Sequence, residues 1–193
     1  MPDVPAAIVD WTEQLHRVVD ELARPIAQAH ASRLQCRAGC NGCCTDDLSV
    51  FEIEAAVIAR RHPELLAGGA PHSEGACAFL DDQGRCRVYD ARPYVCRTQG
   101  LPLRWLEEED GETVEARDVC PLNLEGTPLE ELPADACWTI GPFEERLATR
   151  QAAVSDGELR RVTLRSLFAS AMANANANDG LSEDAKRRLP VVR

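Results

Sequence analysis

The sequence predicts a single, mainly α-helical domain with small β-hairpins, folded around a cysteine-rich centre. Three observations predict it. The chain has 193 residues, long enough for one domain with a hydrophobic core and short for two. Apolar residues recur at helical spacing near both ends. Nine cysteines are present, and seven of them fall between Cys36 and Cys96, among turn signals and short apolar runs. Only 5% of the residues are aromatic, against 45% hydrophobic, so aliphatic and alanine packing should build much of the core.

Residues 5–34 read as helix. Ile8, Trp11, Leu15, Val18, Val19 and Leu22 share one face at spacings of three and four. Pro25 should kink or break this helix, because it lacks an N–H and clashes with the preceding turn. A second helical piece should then run from Ile26 to Leu34. The next helix starts near Ser49. Ser49-Val50-Phe51-Glu52 matches a capping box, with Ser49 as N-cap and Glu52 reaching back. Ile53, Val57 and Ile58 supply its apolar side, and Pro63 with Gly68-Gly69 ends the region.

Two hairpins follow. Residues 77–80 and 86–89 flank the turn-rich link 81–85. Residues 101–106 and 113–116 flank an acidic turn containing Asp110-Gly111. Residues 107–112 lack the alternating oxygen ligands of a calcium loop and read as a solvated turn. Between the hairpins, Asp90 or Arg92 before Pro93 marks a helix start that places Cys96 one turn inside. The C-terminal third reads as helix again. Ser155-Asp156-Gly157-Glu158 is a second capping-box match, and Leu159, Val162, Leu167, Phe168, Ala171 and Met172 form an apolar face. Residues 173–178 read as a fraying helix end or linker, and no internal repeat is present. The organisation expected is one domain over 1–193, with a cysteine core at 36–100 and helical flanks at 1–35 and 141–178.

The formal net charge of −11 argues against general nucleic-acid binding, which needs a surface rich in lysine and arginine. Lys186-Arg187-Arg188 is too short a run to reverse this. The N-terminus lacks a basic region followed by an unbroken apolar stretch, so no secretory signal is expected. No segment approaches the ~20 apolar residues that span a bilayer. The expected location is the cytoplasm, without membrane attachment. Thiols stay reduced there, and an odd number of cysteines fits a disulfide framework poorly.

Four cysteines lie within nine residues, Cys36-Arg37-Ala38-Gly39-Cys40-Asn41-Gly42-Cys43-Cys44. On a helix all four would share one face, whereas Gly39 and Gly42 argue for a looser path that lets backbone approach a metal. Thiolates are soft ligands suited to zinc, Cu(I) and iron–sulfur clusters. A hairpin would set Cys77 and Cys86 at neighbouring strand bases with Cys96 close by. Arg92 and Arg97 would partly offset an anionic thiolate centre. The candidate metal ligands are therefore Cys36, Cys40, Cys43, Cys44, Cys77, Cys86 and Cys96, with Cys120, which precedes Pro121, as an eighth. Adjacent Cys43 and Cys44 should point apart, serving different metals or leaving one as a non-ligand. Cys137, in Ala136-Cys137-Trp138, reads as a buried small hydrophobe. His72 is an available ligand that reads better as an exposed loop histidine.

The run Cys-x3-Cys-x2-Cys-Cys, then Cys77-Ala78-Phe79-Leu80, then Cys86 through Arg92-Pro93 to Cys96-Arg97, resembles the YkgJ-like cysteine-cluster family. That family is described as zinc- or iron-chelating. The run is also similar to the cysteine-rich part of the flagellin lysine N-methylases, for which an iron–sulfur cluster is implied. The resemblance spans about a third of the chain, over residues 36–100. It implies the seven cysteines from Cys36 to Cys96 as the metal set, with Arg92-Pro93 beside them. The chain is much shorter than the methylases.

Three functions are open at this stage. One is a metal-binding protein, carrying zinc or an iron–sulfur cluster, that transfers electrons or stores and delivers metal. A second is a cluster-dependent methyl or group transferase, although the sequence holds no nucleotide-binding glycine motif and no nucleophile–base motif. A third is a structural zinc module whose surface binds a partner protein.

Overall fold

The computed structural model describes residues 4–37 and 39–169. Helix α1 is Ala6–Ala29 and turns Val9, Thr12, Leu15, His16, Val19 and Ala23 inward, the three-and-four spacing of one helical face. Pro25 does not divide it. The helix runs through the proline to Ala29, so the expected break and the separate piece to Leu34 are corrected. A proline this near the C-terminus removes one donor, and the last turn is held from outside. The His30 backbone N–H donates to the Ile26 carbonyl at 3.1 Å, and His30 Nε2 lies 2.8 Å from the Ala136 carbonyl. Leu22, expected on the apolar face, is 50% exposed. It lines an apolar groove with Pro25, Ile26, Trp138 and Phe143.

The Ser49 cap is also corrected. Ser49–Phe51 is strand β1, helix α2 is Glu52–Arg61, and α3 is Pro63–Gly68. Ser49 lies opposite Thr163 in an antiparallel pair, a partner from the far end of the described chain that no local motif could reveal. Glu54 reaches back in place of Glu52: its Oε2 accepts from the Phe51 N–H at 3.3 Å. Residues 77–89 form a compact reverse turn, not a ladder. Leu80 and Cys86 make an isolated bridge pair, and the Arg87 N–H donates to the Phe79 carbonyl at 2.8 Å. Asp81 ties the turn. Its Oδ1 accepts from the Gln83 and Arg85 N–H groups at 2.9 and 2.8 Å, and its Oδ2 from Arg85 Nε at 2.9 Å. With the link satisfied by one carboxylate, the flanking residues need little strand pairing. A 3₁₀ turn at Tyr89–Ala91 then leads to helix α4, Tyr94–Thr98.

Strands β2, Leu103–Glu109, and β3, Glu112–Asp118, form the second hairpin in the expected place, with longer arms than expected. Asp110 and Gly111 both have positive φ, 52° and 85°, the two-residue turn whose twist matches that of paired strands. The acidic residues around it are exposed. Strand β4, Trp138–Thr139, adds to β2 in parallel. Helix α5 is Pro142–Val154, so the C-terminal third is not one helical run. Ser155 follows α5 instead of starting a new helix, and its Oγ donates to the Gln151 carbonyl at 2.6 Å. Val162 belongs to β5, Arg161–Thr163, which completes the pair with β1. Leu159 is 57% exposed, while Leu167 and Phe168 are buried. Ala171, Met172, residues 173–178 and the Lys186–Arg188 run lie outside the described residues.

Two apolar clusters result. One gathers Val50, Ile58, Phe79, Leu80, Leu167 and Phe168 around α2 and the 77–89 turn. The other gathers Leu15, Val19, Ile53, Tyr94, Trp138 and Leu147 between α1, α4 and α5. Helix α2 contributes to both. Among the described residues no helix is long and apolar enough to cross a membrane.

The Asp81 turn carries a prediction. Its backbone hydrogen bond from Arg85, then the Arg85 side chain and the Gln83 N–H, hold its carboxyl below the ordinary value of 3.8. The folded form therefore binds fewer protons than the unfolded chain. That contribution is present above the ordinary carboxylate pKa and is lost as pH falls through the depressed value. Asp81→Asn should flatten the fall in urea midpoint below about pH 4. An unchanged slope would assign the acid sensitivity to other carboxylates.

Candidate metal centre

The chain leaves α1 and enters the cysteine run through consecutive tight turns. The Cys40 N–H donates to the Arg37 carbonyl and the Cys44 N–H to the Asn41 carbonyl, each at 2.9 Å. The looser path holds in place of a helix face. Gly39 has φ +86°, a conformation that side chains rarely adopt. Across from it lies the 81–85 turn. A Cβ on Gly84 would come within 2.5 Å of Asn41 Nδ2, so the two segments pack with no room for a side chain between them.

An inner group of thiols forms where this run meets the first apolar cluster. The Cys77 N–H donates to the Cys44 carbonyl at 2.9 Å, which brings two distant parts of the sequence side by side. Cys86 is held opposite Leu80 by the bridge pair. Cys96 sits in the first turn of α4, its N–H donating to the Pro93 carbonyl at 3.0 Å. The Cys44 thiol lies within Coulombic reach of Cys77 and Cys96, and Cys96 within reach of Cys77 and Cys86.

An outer group gathers around Cys36. Its thiol is within Coulombic reach of Cys40, Cys43 and Cys120. Asn123, which is completely buried, lies between Cys36 and Cys120. Its backbone N–H donates to the Cys120 carbonyl at 2.7 Å and its Nδ2 to Cys36 Sγ at 3.6 Å. Gly100 closes the other side. With φ +90°, it would place a Cβ 2.5 Å from Cys36 Sγ. Neither Asn123 nor Gly100 stood out in the sequence, where nothing connects them to a cysteine. The expectation that Cys43 and Cys44 point apart is corrected: the Cys44 thiol donates to the Cys43 sulfur, so the pair joins the two groups, and Cys43 also reaches Cys96. Cys137 stands apart. It is buried, and its charged neighbours are Arg117, Glu115, Arg104 and Arg33. His72 is half-buried, with its backbone N–H on the Ala78 carbonyl at 2.9 Å.

Crowding and burial set the protonation of these groups. The hydrogen bond from Cys44 lowers Cys43 to about 6, with Arg92 assisting and burial opposing. The same bond pushes Cys44 up, aided by burial and by the charges of Cys43, Cys77 and Cys96. Burial, followed by the charges of Cys77 and Cys86, raises Cys96 to about 12. Burial also raises Cys77 and Cys86. Cys36 is raised by burial against the opposing hydrogen bond from Asn123. Arg92 acts on Cys43, Cys86 and Cys96, while Arg165 and Arg87 act on Cys77. Arg92 is held by its Nε on the Tyr89 carbonyl at 3.0 Å and by stacking 3.6 Å over the Tyr89 ring.

The donor chemistry fits a thiophilic ion or cluster: eight free thiols in contiguous groups, with an arginine to offset their charge. The spacing is that of neighbours, not of ligands already set around an ion. Among the described residues, no three His, Cys, Asp or Glu side chains form a group that could hold a metal ion as placed. A soft-metal chelating domain is the class these features define. Residues 35–121 match the model of the CxxCxxCC family, described as a "Putative zinc- or iron-chelating domain", the cysteine-cluster family that the motif resembles. The match includes the eight cysteines from Cys36 to Cys120 and stops short of Cys137. It supports zinc or iron as what the domain binds. No curated protein and no solved structure matches the chain.

Proposed function

We propose that the protein is a metal-handling protein that holds zinc or iron, the iron as an iron–sulfur cluster, in two four-thiol groups. Cys44, Cys77, Cys86 and Cys96 make the inner group, and Cys36, Cys40, Cys43 and Cys120 the outer. The observation that carries this reading is that Cys36 lies within Coulombic reach of Cys40, Cys43 and Cys120, and Cys44 of Cys77 and Cys96, with Cys43 reaching toward both sets. Four thiolates satisfy a tetrahedral zinc or an iron–sulfur cluster, and one such set would leave four of these cysteines without a role.

The two groups differ in setting, and the difference suggests separate roles. Cys77 is buried within the first apolar cluster and Cys86 packs against it. A metal there would tie the 77–89 turn and α4 to the cysteine run and stabilise the fold. Cys36 and Cys43 are exposed, so the outer group is open to a partner that gives or takes metal. A bound ion at each group would keep its thiolates charged. Arg92 would offset part of that charge, and the buried surroundings of the inner group would exclude water.

The test is anaerobic purification followed by elemental analysis and absorption spectroscopy. Zinc or iron should co-purify with the chain or be taken up on reconstitution, and added zinc should saturate at two equivalents. Uptake in weak buffer should release protons, because the raised thiols of the inner group are protonated near neutral pH and must lose their protons to ligate. A chain that takes up neither metal under these conditions would sink the reading.

A further inference from the structure

We propose that Asn123, which lies beyond the family-matched segment, is a positioning residue of the outer thiol group. Its side-chain amide donates to Cys36 Sγ and clamps that sulfur beside Cys120. The inference rests on the reading of Cys36 and Cys120 as ligands of one ion, and it names the residue that sets their geometry.

Each polar atom of the Asn123 side chain has a partner. Oδ1 accepts from the Gln35 N–H at 2.7 Å, while Nδ2 donates to the Gly100 carbonyl at 2.8 Å and to Cys36 Sγ at 3.6 Å. The partners settle which way the amide faces. A backbone donor stands on one side, and a carbonyl and a sulfur stand on the other. The larger radius of sulfur makes 3.6 Å a contact distance for an N–H donor. The residue is completely buried, so water cannot replace these bonds. Its backbone N–H closes the 3₁₀ turn Pro121–Asn123 on the Cys120 carbonyl at 2.7 Å, which fixes the side chain at a set place beside Cys120. One residue thus touches both ends of the thiol segment, the side chain of Cys36 and the backbone of Cys120.

A structural tie between loops would need only the bonds to Gln35 and Gly100. The sulfur contact adds something chemical. An N–H aimed at the sulfur fixes the direction of its lone pairs and so the side from which it can meet a metal. Hydrogen bonds to ligating sulfurs are a recognised lever on metal affinity and cluster potential. Gly100 serves the same arrangement. Any Cβ there would meet Cys36 Sγ at 2.5 Å and Asn123 Nδ2 at 3.3 Å, so the approach of amide to sulfur depends on an unsubstituted neighbour.

The experiment is a double-mutant cycle on the full chain. Asn123→Asp keeps the acceptor for the Gln35 N–H and removes the donor to sulfur. Asn123→Ser is uncharged and too short to reach the sulfur, and it gives the same comparison should the aspartate variant not fold. Each is made in the parent and in Cys36→Ala. Zinc affinity is read by competition with a chromogenic chelator, the thiolate-to-metal charge-transfer band by cobalt(II) substitution, and the metal-free fold by thermal melting. In the parent background the variants should weaken the more labile zinc about 10–100-fold and shift the cobalt band. In Cys36→Ala they should change neither further. A parent-like affinity and band in the variants, or an equal loss in both backgrounds, would overturn the inference while leaving the chelation reading intact. A parent that binds neither zinc nor cobalt would overturn both.

Discussion

Glu54→Ala should destabilise the protein by about 3–5 kcal/mol, the loss expected when one member of a buried polar set is removed. The Glu54 side chain is 5% exposed. Its Oε1 accepts from the Tyr94 N–H at 2.8 Å and lies 3.3 Å from His16 Nε2, and its Oε2 accepts from the Phe51 N–H at 3.3 Å. Three elements therefore converge on one carboxyl group: α1 through His16, the β1–α2 junction through Phe51, and the start of α4 through Tyr94. Alanine would leave two backbone donors and an imidazole buried without partners, and would open a cavity besides. The loss should reach the thiols too, because α4 carries Cys96 and its first N–H would come loose. Glu54→Gln keeps a carbonyl acceptor and should cost less. Urea denaturation of the metal-free chain checks both variants. A loss under about 1 kcal/mol in Glu54→Ala would show that the junction is held by apolar packing alone.

Substitution of single cysteines should separate the two thiol groups. Serine presents a neutral hydroxyl that replaces a soft thiolate poorly, so each change should empty its own site and spare the other. Cys86→Ser should lower bound metal by about half and bring down the melting temperature sharply, since its group is embedded in the fold. Cys40→Ser should also lower metal by about half, with a smaller thermal effect, because its group lies nearer the surface. Cys137→Ser should leave metal content at the parent value. Elemental analysis and calorimetry on the three variants provide the check. Equal metal loss in all three would mean that the division at Cys43–Cys44 is wrong and that Cys137 has been misplaced.

Several features were legible because they are local. The existence of α1 follows from apolar spacing, although of the six residues expected on its inward face only Leu15 and Val19 are buried, and the Asp110-Gly111 turn follows from two residues that readily adopt positive φ. The cysteine run within residues 35–121, which match the family model, is a contiguous pattern. Where local signals misled, a distant partner had intervened. Ser49 and Glu52 form a good capping box on paper, yet pairing with Arg161–Thr163 draws Ser49 into a strand and moves the helix start to Glu52. Ser155 and Glu158 match the same pattern, but β5 needs the residues just beyond as strand. Pro25 should have ended α1, and the contacts of His30 beyond it keep the last turn in place.

By itself the sequence determined that this chain has a helical N-terminus, an acidic balance and a dense set of thiols suited to a soft metal. Those properties depend on residue type and on spacings within a turn or two, where covalent geometry dictates who can be neighbours. Only the tertiary structure decided which thiols stand together, that Cys120 joins Cys36 through Asn123, and that Glu54 anchors three elements. These contacts join residues tens of positions apart. Nothing in the local chain specifies them, because they follow from the burial of two apolar clusters and the pairing of most polar groups trapped between them.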